Sequence, residues 1–170
     1  MSESKATDDQ PTVADGTGGD DSGRAFEEVY ASELPAVTRL SFLLVRSQAV
    51  AEELAQEAFL RLFQRFDEIE NPPGFLRTAV VRLSSTWLRR RNMEHDRLVR
   101  VGPPEPSDTT EIDETWEAVG RLRPERRLVL VLRFYEHLRH EEIAQMLGCS
   151  AGTVRSRTRR ALADLRKELT

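Results

Sequence analysis

Ser150 to Arg160 place four arginines, Arg155, Arg157, Arg159 and Arg160, in eleven residues that carry no acid. At helical spacing Gly152, Ser156, Arg159 and Arg160 share one face, with Arg155 and Arg157 on its shoulders. Guanidinium forks suit phosphates and the acceptor edges of bases. A second basic run, residues 77–100, holds seven arginines and two acids, with Phe75 just ahead of it and Trp87 inside it. Arginines beside aromatic rings suit single-stranded nucleic acid, by neutralising phosphates and stacking on bases. The alternative is that both rings pack in a core. A third group is polar rather than basic: Glu53, Gln56, Glu57, Leu60 and Gln64 fall on one helical stripe. An apolar Leu60 among acids and amides has the character of a protein-interface anchor, the plain alternative being a solvated face with one stray leucine.

Covalent chemistry has no such foothold. There is no glycine-rich phosphate loop and no Ser/His/Asp or Cys/His arrangement at suggestive spacing, so no enzyme is expected. Cys149, the single cysteine, excludes an internal disulfide and a thiolate-rich zinc site. It reads as a turn filler. His137 and His140, with Cys149 beyond, make a poor ligand set and read as structural, as does His95. No metal or cofactor is expected.

These groups need elements to hold them. Ile143, Ala144 and Leu147 face inward on a short helix that ends at Gly148, a residue suited to a left-handed cap. Ser150 can cap the next helix, whose Val154, Thr158, Ala161, Leu162, Leu165 and Leu169 fall on one face. Two helices joined by so short a glycine-containing turn predict a helix-turn-helix, with the basic face near the start of its second helix. Upstream, Glu52 to Phe66 predicts a helix whose apolar face is Leu54, Ala55, Ala58, Phe59, Leu62, Phe63 and Phe66. The run Leu128 to Leu132 suits a buried strand or a helix, and Pro124 ahead of it favours helix. No strand is convincing and no internal repeat is found.

The chain has 170 residues and a net charge of −4, which resolves unevenly. Residues 1–23 carry −5, residues 24–100 carry +1, residues 101–116 carry −5 and residues 117–170 carry +5. Of 25 basic residues all but Lys5 and Lys167 are arginine. Residues 1–23 are too polar to fold alone and read as a disordered acidic tail. Gly102 to Asp108, rich in proline, breaks any helix and marks a flexible acidic linker. The expectation is an all-α protein of two small helical domains, residues 24–100 and 112–170, joined by a linker at 101–111. No apolar run approaches the roughly 18 residues of a membrane span, and the acidic N-terminus is unlike a signal peptide. A cytoplasmic protein without membrane insertion is expected.

The wider pattern is recognisable. Leu122-Arg123-Pro124-Glu125-Arg126-Arg127, Glu142-Ile143-Ala144, Gly152-Thr153-Val154-Arg155-Ser156-Arg157 and Arg160-Ala161-Leu162 closely resemble the fourth domain of bacterial sigma factors, most of all the extracytoplasmic-function (ECF) group. The resemblance implies −35 promoter contacts by Arg155, Ser156, Arg159 and Arg160, the face already singled out, with Arg157 beside them. Ala51 to Phe63 looks like the second domain's polymerase-binding helix, which implies that Glu53, Gln56 and Glu57, extended by Leu60 and Gln64, dock on the β′ clamp. Phe75 to Leu83 and Trp87 to Arg91 resemble the segment that melts and reads the −10 element, implying contacts by Arg82, Trp87, Arg89, Arg90 and Arg91. Two departures stand out. Val50 replaces a usual acid, and Arg82 and Thr86 replace a usual Asn and Asp, which puts the −10 preference in doubt. In the family the linker runs through the polymerase cleft. The acidic charge suits a channel shaped for nucleic acid, and a solvated spacer is the alternative. The implied partners are core RNA polymerase, through its β′ clamp and β flap, promoter DNA, and an anti-sigma factor. A stand-alone helix-turn-helix regulator on duplex operator DNA is the competing reading. It predicts a dimerisation element, and none is visible.

Overall fold

Alanines at three inward positions let the first helices approach closely. Helix α1 (Thr17–Val45) packs against α2 (Gln48–Phe63) through Ala51, Ala55 and Ala58, all with no exposed surface. Helix α3 (Pro72–Arg97) closes the group with Leu76, Val80 and Val81, equally buried. The buried hydroxyls of Ser41 on α1 and Ser84 on α3 meet at 3.4 Å, which satisfies two polar groups inside an apolar interface. A 3-10 turn, Phe66–Glu68, follows α2. Asn71 then starts α3: its Oδ1 accepts from the Gly74 amide at 3.0 Å, an N-terminal cap.

The computed structural model describes residues 17–97 and 114–170, with side chains for 21–93 and 114–170. The linker at 101–111 and residues 1–16 of the acidic segment lie outside the described residues, as does the side chain of His95. Residues 17–23, assigned to the tail from their polarity, are instead the first turns of α1. Once residues 24–45 nucleate a helix, extending it costs little even in polar sequence. Ser22 also anchors this end, its Oγ donating to Asp67 Oδ1 at 2.6 Å.

The C-terminal half is built from α4 (Glu114–Arg121), α5 (Pro124–Leu130), α6 (His140–Leu147) and α7 (Ala151–Glu168). The Leu128 to Leu132 run is helical. Helix α5 passes into a π-helical turn, Val131–Tyr135, a local widening that sequence periodicity does not announce. Arg133 Nη1 donates to the Leu138 carbonyl at 3.1 Å and steadies the exit from that turn. Helices α6 and α7 form the expected pair. Gly148 takes φ +66°, Cys149 N donates to Ala144 O at 3.0 Å, and Ser150 Oγ accepts from the Thr153 amide at 3.1 Å. Between the two helices Ile143 and Val154 are fully buried.

The described residues are all-α, with no strand among them. The two halves are not held apart: buried residues of α1 to α3 and of α5 to α7 join one apolar cluster.

Candidate nucleic-acid and protein interfaces

Helix α7 buries Val154, Thr158 and Ala161, and the Thr158 hydroxyl is satisfied by the Val154 carbonyl at 2.9 Å. That stripe fixes which side turns outward. Arg155, Arg159 and Arg160 are exposed, Ser156 and Arg157 are half-buried. Arg159 and Arg160 make no ion pair among the described residues. Arg155 does, meeting Glu141 of α6 at 3.4 Å. The Glu141 carboxyl is held below its ordinary range by a hydrogen bond from its own backbone amide at the start of α6, and by Arg155. Arg157 departs from the others. It lines a crevice of about 420 Å³ between the helix-turn-helix and α3, together with Cys149, Arg89 and Met93. Leu169, expected on the inner face, is 55% exposed, because it lies just past the end of α7.

On α3 the exposed stripe runs opposite the buried Leu76, Val80, Ser84 and Leu88. Arg82, Arg89 and Arg90 are exposed and make no ion pair among the described residues. Trp87 is half-buried, with the Arg91 guanidinium 5.1 Å above its ring; Phe75 is half-buried against the core. Each ring is therefore divided between packing and surface. Arg77, also exposed, pairs with Glu136 of the C-terminal half.

On α2, Glu53, Gln56 and Gln64 are exposed, and Glu57 is half-buried and paired with Arg61 at 2.8 Å. Leu60 is 51% exposed at the centre of this stripe. Phe63, expected in the core, is 60% exposed instead, because the helix ends there and the chain turns away before the ring can be covered. Its ring stands edge-on to Phe26 of α1, centroids 5.0 Å apart, and Phe26 continues to Tyr30 at 6.3 Å. The apolar component of this face is thus larger than Leu60 alone. The sequence pattern, which carries the helix on to Phe66, held no sign that it stops at Phe63. Val50, where the family pattern has an acid, is half-buried and packed on the core.

Among the described residues no group of three or more His, Cys, Asp or Glu could hold a metal ion, and no helix is long and apolar enough to cross a membrane. Comparison with known proteins places both halves. The model described as Sigma-70 region 2 matches residues 29–93, and Sigma-70, region 4 matches residues 112–165. The chain is 34% identical over 151 residues to the RNA polymerase sigma-E factor of Streptomyces coelicolor, covering 85% of each chain. It is 32% identical to the ECF RNA polymerase sigma factor SigE of Mycolicibacterium smegmatis, across 95% of this chain and 69% of that one. The fold is shared with the sigma factor RpoE of Bartonella quintana, solved with the anti-sigma factor NepR (TM-score 0.65, 22% identity, 86% of this chain and 97% of that one). With matched regions running from α1 to α3 and then from α4 to α7, the chain belongs to the extracytoplasmic-function group of the sigma-70 family of RNA polymerase sigma factors.

Proposed function

We propose that this chain is a promoter-specificity subunit whose three surfaces divide the work. The α2 stripe of Glu53, Gln56, Glu57, Leu60 and Gln64 docks on the β′ clamp of core RNA polymerase, with the β flap as the support for the C-terminal half. Arg155, Ser156, Arg159 and Arg160 of α7, with Arg157 at their edge, enter the major groove of the −35 element. Arg82, Arg89, Arg90 and Arg91 on α3, with Trp87, engage the opened −10 element. The chain supplies no chemistry of its own, works in the cytoplasm, and has an anti-sigma factor as a further class of partner.

The observation that carries this reading is the state of the arginines. Those aimed outward on α3 and α7, Arg82, Arg89, Arg90, Arg159 and Arg160, have no carboxylate among the described residues. A solvated structural face would gain from pairing, whereas a phosphate-binding face gains from staying open. Two modest DNA contacts tethered through one enzyme reinforce each other by effective concentration, so neither needs to be strong alone. The acidic segments at 1–23 and 101–116 oppose non-specific binding by the free protein.

Glu57→Lys and Arg160→Ala test the division. The first should lose binding to core polymerase in size-exclusion co-elution. The second should keep that binding and lose protection of the −35 element in footprinting. If both behave like the unaltered protein, the site assignments are wrong. Dimerisation with binding to two half-sites, and no association with polymerase, would establish the stand-alone regulator instead.

A further inference from the structure

Beside the turn between α6 and α7 lies the crevice of about 420 Å³ whose far wall is α3. Its floor is apolar. Leu88 of α3 and Leu128 of α5 are buried there, and Leu147 of α6 is half-buried beside them. The turn itself fills none of the space: nothing stands within 4 Å of where a Cβ on Gly148 would project. At the mouth Met93 of α3 is 60% exposed, an apolar side chain left without cover. The floor is also held from behind. Arg127, buried next to Leu128 on α5, donates through Nε to Leu44 O at 2.8 Å and through Nη1 to Gly120 O at 3.0 Å. The crevice is therefore preformed, as small-molecule sites generally are.

The rim is cationic. Arg89 reaches it from α3 and Arg157 from α7, and neither pairs with a carboxylate among the described residues. The one carboxylate among the lining residues is Glu125, and its Oε1 already accepts from Asn92 Nδ2 at 3.2 Å. Two open guanidiniums thus stand over an apolar floor, against a single engaged acid.

That combination defines a class of ligand. A bare inorganic anion would leave the floor in water. A neutral apolar molecule would desolvate two guanidiniums and pair with neither. A molecule with an anionic group on a compact apolar body answers both needs. The volume falls in the range of small-molecule sites, roughly 300–1,000 Å³, and a double helix cannot follow into so small a space.

We propose that this crevice binds a small amphipathic organic anion. Its carboxylate, sulfonate or phosphate is held between Arg89 and Arg157, by the charge-assisted hydrogen bonds that guanidiniums make with such groups. Its aromatic or branched body lies against Leu88, Leu128 and Leu147. A regulatory consequence rests on the sigma-factor reading. Arg89 and Arg157 are among the arginines assigned above to promoter DNA, so the bound anion competes with DNA for the same donors. By reciprocity, DNA weakens the anion by the factor by which the anion weakens DNA.

The probe for the test is anilinonaphthalene sulfonate, a fused-ring anion of this class. The reporter is Cys149, the single cysteine of the chain, which lines the crevice. With the probe at about ten times its Kd, N-ethylmaleimide should label Cys149 of the full chain about tenfold more slowly. Equal labelling with and without the probe overturns the proposal, since adhesion elsewhere on the surface would not shield this thiol. The uncharged counterpart, phenylnaphthylamine, should give no such protection at the same concentration; equal protection by both overturns the anionic assignment. Arg89→Ala/Arg157→Ala should weaken the probe about tenfold or more, with circular dichroism showing that the helices are kept. Unchanged affinity in the folded variant overturns the proposal, and if the variant does not fold the charged and uncharged probes decide it. Competition is read separately, by anisotropy of a labelled −35 duplex with the free chain. The probe should weaken duplex binding by up to about tenfold at that concentration, and unchanged binding overturns the regulatory consequence. A chain that binds no duplex with or without the probe would count against the sigma-factor reading, while the labelling result still decides the site.

Discussion

Glu141→Gln isolates the electrostatics of the recognition helix. In the free protein Glu141 sits 3.4 Å from Arg155, both side chains about 60% exposed. An exposed pair of this kind is weak, and it must be given up if Arg155 turns to DNA. Removing the carboxylate removes that competition and takes a negative charge away from incoming phosphates. The variant should therefore bind a −35 duplex roughly 1.4- to 5-fold more tightly. The gain should shrink as salt is raised, since screening weakens the pair itself. The assay is fluorescence anisotropy of a labelled duplex with the polymerase-bound protein, at two salt concentrations, with Arg160→Ala in parallel. Arg160 has no acid to leave, so its loss should weaken binding by about 1–3 kcal/mol if it reads a base edge. Weaker binding by Glu141→Gln would refute the reasoning, because it would mean that the carboxylate aims Arg155 at DNA instead of competing for it.

Leu60→Asp should abolish co-elution with core polymerase and yet change unfolding stability by no more than about 0.5 kcal/mol, as Leu60 is half exposed in a surface stripe; urea denaturation checks the second half of that statement. Gly148→Ala should cost about 1–2 kcal/mol in the same urea experiment, because φ +66° forces a Cβ against its own backbone. The Glu142 carboxyl, held low by the Arg139 amide and guanidinium, stabilises the start of α6. That contribution is present above the ordinary carboxylate pKa and is lost as pH falls through the lowered value. NMR titration should therefore show fraying of α6 only on the acid side, with Glu142→Gln insensitive to it.

Much of this molecule could be read from local pattern. The helix-turn-helix rests on residues whose conformational needs are their own: Gly148 for a left-handed cap, Ser150 for an N-terminal cap, and Ile143 and Val154 at the spacing that buries them. The outward arginines of α7 followed from the same periodicity. Pro124 correctly decided the Leu128 to Leu132 run for helix. What escaped is what depends on distant chain. Phe63 looked like core by its spacing, but burial there required a neighbour that the end of α2 does not provide. Arg127 carries no sequence mark of its role, since its partners are main-chain carbonyls, one of them 83 residues away. For the same reason the closed contact between the halves was invisible to periodicity, which sees one helix at a time. The π-helical turn after Leu130 was equally hidden, because the apolar spacing there reads the same for an α-helix.

The most direct test of the account is initiation itself. The purified full chain, mixed with core RNA polymerase and a library of promoter-length DNA, should yield transcripts from a defined subset of templates that share a −35 and a −10 element. Core enzyme alone should yield none of them. Transcripts without sequence preference, or no dependence on the added chain, would contradict it.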